Sequence, residues 1–144
     1  MASTSGSHEV HRTDGRSINQ TVALAFGAIY TLVGLAGFFV SETFADQDDD
    51  KLLGIFEVNH LHNIVHLLIG VALLAASRRH DSARGANLAI GATYLLLGVI
   101  GWFIDDTAAN IVALNSADHL LHLASGALLT AVALGADKNA RTRV

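Results

Sequence analysis

A chain of 144 residues that is 51% hydrophobic and 15% charged, with no proline and no cysteine, is too apolar and too unevenly patterned for one water-soluble domain. The lack of cysteine excludes disulfides, thiolate metal sites and cysteine nucleophiles. A net charge of −4 with no basic stripe excludes nucleic acid as the expected partner.

Met1 to Asn19 is polar and lacks apolar periodicity, so it reads as a disordered tail in which His8 and His11 are solvated. Thr21 to Val40 then runs for 20 residues without a charge, enough to cross the hydrocarbon core of a bilayer. It is longer than the apolar core of a signal peptide, and Phe38 to Glu42 is a poor cleavage site, so a retained helix is expected. Ser41 to Val58 forms a loop, acidic in its first half and apolar at its end. A second helix is expected over about 60–76 with Asn59 as N-cap. Ser77 to Gly85 reads as a short basic loop, 86–104 as a third span, and 116–134 as a fourth with Asn115 as the matching cap.

Arg12, Arg16, Arg78, Arg79, Arg84, Lys138, Arg141 and Arg143 fall in the two tails and the central loop, while the other loops hold Lys51 alone. The positive-inside rule therefore places both termini in the cytoplasm and both acidic loops outside.

The chain repeats itself. Gly27 to Phe39 and Gly91 to Phe103 share seven of thirteen residues at an offset of 64. Asn59 to Leu73 and Asn115 to Leu129 share five of fifteen at an offset of 56. The fold expected is an all-α integral membrane protein, four transmembrane helices arranged as two tandem helical hairpins. Such parallel repeats are related by an axis along the membrane normal. Gly27, Gly34 and Gly37, with Gly91, Gly98 and Gly101, would let helices approach closely, within the chain or against a protein partner or second copy.

The second helix of each repeat carries the chemistry. At ~100° per residue Asn59, His62, His66, Gly70 and Leu73 form one stripe, and Asn115, Asp118, His122, Gly126 and Leu129 its counterpart. His66 lies ~9 Å along its helix from His60, below the headgroups, where ionisable residues face a bundle interior or a cavity. His62, His66, Asp118 and His122 offer three imidazoles and a carboxylate, a donor set for zinc or another divalent metal. His66 and His122 alone could ligate haem b from two helices, with Gly70 and Gly126 leaving room beside the ring. The same residues can instead cross-link helices as a polar network without any cofactor. His60 and His119 lie off the stripe, as second-layer or solvent-facing groups. Tyr30 and Tyr94 lie deeper, and their hydroxyls need partners, for which the histidines are candidates. No nucleophile elbow, phosphate loop or further histidine cluster points to catalysis.

With N-x-L-H-N-x-V-H-L-x-x-G before residue 71 and N-x-x-D-H-x-L-H-L-x-x-G before residue 127, the chain resembles the domain-of-unknown-function 4383 family over roughly residues 19–136. The resemblance implies a small bacterial plasma-membrane protein of the kind common in actinobacteria, and it implies no activity. The first functional reading is a non-enzymatic structural or accessory membrane subunit. The alternative is a metal- or haem-binding protein in redox or ion handling.

Overall fold

A computed structural model of the protein describes residues 15–47 and 50–137. The readings of residues 1–14 and 138–144 as tails, and of Asp48 and Asp49 as part of an acidic run, lie outside the described residues. Four helices carry the fold among the described residues: α1 (Ile18–Gly37), α2 (His60–Ala76), α3 (His80–Ile104) and α4 (Ser116–Gly135). Between α1 and α2 lies an antiparallel pair, β1 (Lys51–Leu52) and β2 (Phe56–Glu57). Three of the helices, α1, α3 and α4, are long and apolar enough to cross a membrane, while α2 is apolar but has 17 residues.

The helix ends follow from local side chains. Ser17 opens α1 with a capping box: its hydroxyl accepts from Gln20 N and the Gln20 side chain accepts from Ser17 N. The helix therefore starts before Thr21, and Asn19, expected in the tail, is fully buried. Asn59 caps α2 by accepting from His62 N at 2.9 Å. Asn115 and Asp118 form a capping box on α4. The arginine-rich segment expected as a loop is mostly helix, because α3 runs back to His80 and leaves only Ser77 to Arg79 as the connection. The loop after α1 turns through Leu53 and Gly54, with φ of 55° and 75°. Glycine takes this left-handed conformation freely, whereas leucine does not.

Helix α1 packs along α2 and α3 along α4, each pair through glycines. A Cβ added at Gly27 would lie 3.0 Å from Gly70 O, and one at Gly91 would lie 3.0 Å from Gly126 O. A Cβ at Gly34 would meet Asn63 O at 2.8 Å, and one at Gly98 would meet His119 O at 3.0 Å. Every partner in the second pair is displaced from its counterpart by the same 64 or 56 residues that relate the sequences. The capping asparagines cross between the pairs. Asn59 Nδ2 donates to Ile111 O at 2.9 Å, and Asn115 Nδ2 donates to Ile55 O at 2.9 Å.

Burial runs opposite to that of a water-soluble bundle. Asn19, Asn59, Asn63, Asn87 and His119 are buried, while Leu32, Leu35, Leu68, Val71 and Leu96 are exposed on the outer faces. At one end, the start of α1, the start of α3 and the residues after α4 meet. Asp137 accepts from Asn19 N and Nδ2, both at 3.0 Å, and Asn87 Nδ2 donates to Asn19 O.

Candidate functional site

The stripe on α2 and the stripe on α4 are both buried and face each other. His62, His66, Gly70 and Leu73 are buried on α2, and Asp118, His122, Gly126 and Leu129 on α4. The Asn59 cap holds the first turn of α2, where His62 sits, and a helical turn of four residues places His66 beneath it. Their rings lie 4.7 Å apart by centroid. His122 reaches in from α4, with its ring 6.4 Å from that of His62 and 6.4 Å from that of His66.

One ligand nitrogen from each of His62, His66 and His122 can be chosen so that all three lie within 4.8 Å of one another. Tetrahedral zinc–imidazole geometry needs ~3.3 Å between such nitrogens, from Zn–N bonds of about 2.0–2.1 Å. Binding an ion would draw these nitrogens closer by up to about 1.5 Å, the difference between 4.8 Å and ~3.3 Å. The Nδ1 atoms of these imidazoles are buried and have no hydrogen-bond partner among the described residues. An unpaired buried polar atom costs ~1–3 kcal/mol, and these three belong to side chains that line one cavity, which leaves them open to a shared ion or water.

Asp118 stands apart from this trio. Its carboxylate accepts from Asn115 N at 3.1 Å and so serves the helix cap. It does line the same cavity, a space of about 70 Å³ bounded by His62, His66 and His122 on its polar side. The apolar wall comes from Val33, Leu52, Leu53, Phe56, Val58 and Leu121. The β1–β2 hairpin thus roofs the histidines, a role that the apolar end of the loop does not announce in sequence.

A haem does not fit this site. A cavity of about 70 Å³ holds a few waters, not a macrocycle. Gly70 and Gly126, expected to leave room beside a ring, are instead filled by neighbouring helix. Thr31 occupies the place of a Cβ at Gly70, and Leu95 N lies 2.8 Å from one at Gly126.

Tyr30 and Tyr94 floor the site by ring contact rather than by hydrogen bonds to the histidines. Tyr30 meets His66 edge-on at 5.4 Å, Tyr94 packs against His122 at 4.6 Å, and the two tyrosines touch at 5.4 Å. Neither hydroxyl has a hydrogen-bond partner among the described residues. His60 Nε2 donates to Ser41 O at 2.9 Å, and its ring packs tilted against Phe38. His119 is not solvent-facing, and its ring engages Asp105 rather than the trio. It is fully buried, lies against Asp105 and packs on Trp102. The signal that could have found this pair is the repeat itself, since Asp105 and His119 stand 64 and 56 residues after Ser41 and Asn63, which also bond each other.

No curated protein and no solved structure matches the chain. Residues 20–135 match the family described as Domain of unknown function (DUF4383), with both histidine stripes inside the match, and the chain belongs to that family.

Proposed function

We propose that this is a small four-span membrane protein that holds one metal ion inside its helix bundle through His62, His66 and His122. The membrane reading is supported by three helices of spanning length and by leucines outside with asparagines and histidines inside. Helix α2 spans as well, because its 17 residues are at the lower limit of length and are continued by the loop before it. The matched glycine contacts and crossed caps support two tandem hairpins around an axis normal to the membrane. Arg16, Arg78, Arg79 and Arg84 stand near the end where Asp137 meets Asn19, which makes that end cytoplasmic and the histidine end outward.

The observation that carries the metal reading is the buried trio of imidazoles with ligand atoms within 4.8 Å and unpaired Nδ1 atoms. Imidazole suits zinc, copper, iron and nickel, and the trio leaves a fourth position free. When bound, such an ion supplies Lewis acidity or electron transfer. The residues hold it in a small pocket with tyrosine rings beneath and the hairpin above.

Elemental analysis of protein purified in detergent tests the reading. One transition metal per chain is expected in the wild type and none in His66→Ala or His122→Ala. Wild-type protein without metal, even after incubation with zinc or copper, would leave the second reading, a non-enzymatic accessory subunit whose histidines only pack. That reading is favoured by the tyrosine–histidine ring contacts, which stabilise without an ion.

A further inference from the structure

The cavity beside the histidines has a chemistry of its own. Three protein ligands and an open fourth position are the arrangement by which metal sites bind an exogenous ligand. Here the open side gives onto a space of about 70 Å³, room for a ligand of a few heavy atoms and no more. The wall opposite the imidazoles is aliphatic and aromatic. No lysine or arginine lines it among the described residues, and its one carboxyl group, on Asp118, is engaged by the Asn115 backbone at the start of α4. An anion entering it would be desolvated with nothing but the ion to answer it.

The rim points to the route of entry. Leu53 is 82% exposed and Leu121 46% exposed, so the cavity edge is apolar where it meets the outside. In the proposed orientation these residues lie at the outer leaflet. A molecule that partitions into lipid reaches the rim without crossing a polar vestibule.

We infer, resting on the metal reading proposed above, that the fourth position takes a small uncharged diatomic molecule of the carbon monoxide, nitric oxide and dioxygen class, delivered from the bilayer. Copper(I) is the suitable probe ion because an imidazole set binds it and its carbon monoxide adduct has a resolved infrared stretch.

The experiment uses the full chain in nanodiscs, loaded with copper(I) under argon and exposed to carbon monoxide. One carbon monoxide per copper and a single stretching band, lost on purging, are expected. In the copper(II) form, azide at the same concentration should give no charge-transfer band. Val33→Phe, which adds bulk to the cavity wall, should keep stoichiometric copper and lower carbon monoxide occupancy at least tenfold. Copper-loaded protein without a carbon monoxide band, or one that binds azide as readily, overturns the diatomic ligand and leaves the metal site standing. Protein that takes up neither copper nor zinc overturns the metal reading and this inference with it, whereas protein that takes up zinc but no copper(I) overturns the diatomic ligand alone.

Discussion

His119 Nε2 lies 2.5 Å from Asp105 Oδ1, and His119 is wholly buried. In the first helix pair the equivalent contact is Asn63 Nδ2 to Ser41 Oγ at 2.9 Å. One location therefore carries an ionisable pair in one half and a neutral amide–hydroxyl pair in the other. In both, the side chain fills the space left by a glycine, Gly37 beneath Asn63 and Gly101 beneath His119.

The pair predicts a double-mutant result. His119→Ala removes the partner of Asp105 and opens a void, so it should destabilise the protein by ~1–3 kcal/mol. Asp105→Ser with His119→Asn restores the arrangement of the first half and should recover most of that loss. Unfolding followed in detergent measures both. Equal damage from the single and double variants would mean that the pair is not interchangeable with its counterpart.

The glycine contacts give a graded prediction. Gly34→Ala places a Cβ 2.8 Å from Asn63 O, and Gly98→Ala places one 2.6 Å from the Leu123 side chain. Each should lower stability by ~1–3 kcal/mol through overpacking. Gly85 has nothing within 4 Å of its added Cβ and lies inside α3, so Gly85→Ala should be neutral or slightly stabilising. Thermal melting of the three variants, with Gly85→Ala as control, decides the matter.

Asp137 predicts a pH effect at the opposite end. Burial alone would raise its carboxyl, but hydrogen bonds from Asn19 N, Asn19 Nδ2 and Ile18 N, with His80 nearby, hold it below the usual range. A carboxylate at the start of α1 also meets the positive end of that helix. A folded value below the unfolded value of ~3.9 stabilises above that pH, and the contribution is lost as pH falls through the folded value. Asp137→Asn should therefore melt lower than wild type at pH 7, with the gap closing in acid. A gap that is constant with pH would assign the loss to something other than the charge.

Metal removal should separate the histidine trio from ordinary packing. A chelator should lower the melting temperature of wild-type protein and leave that of His66→Ala unchanged, because only an ion bound to the folded state adds to its stability. The same chelator shift in both proteins would place the ion elsewhere.

Orientation is tested from outside the cell. With arginines inward, Thr107→Cys should react with an impermeant thiol reagent in intact cells and Ser82→Cys should not. Both positions are exposed, so access across the membrane sets the outcome. Labelling at position 82 alone would invert the topology.

Much of the fold is legible in the sequence because a helix writes its faces at fixed spacing. Asn59, His62, His66, Gly70 and Leu73 mark the buried side of α2, and its bounds at 60 and 76 follow from the cap and the apolar run. What periodicity cannot give is contact between helices. That His119 meets Asp105, and that Thr31 and Leu95 fill the notches at Gly70 and Gly126, depends on how closely backbones approach. Asp118 reads as a ligand because its spacing matches that of His62, yet an acidic side chain three residues after a cap has a nearer donor in Asn115 N. The hairpin is hidden because two-residue strands carry no alternation to read.

The crossed asparagine caps have a mechanical consequence. Ile55 belongs to the hairpin that covers the histidines, yet its carbonyl is held by Asn115, the residue that starts α4 on the other half. The cover is latched to the half it does not belong to. Lifting it breaks a bond to the residue whose Oδ1 also anchors the first turn of α4, one turn before His122. The cover of the pocket and the helix start that carries its third imidazole thus share one side chain, Asn115, through its Nδ2 on one side and its Oδ1 on the other.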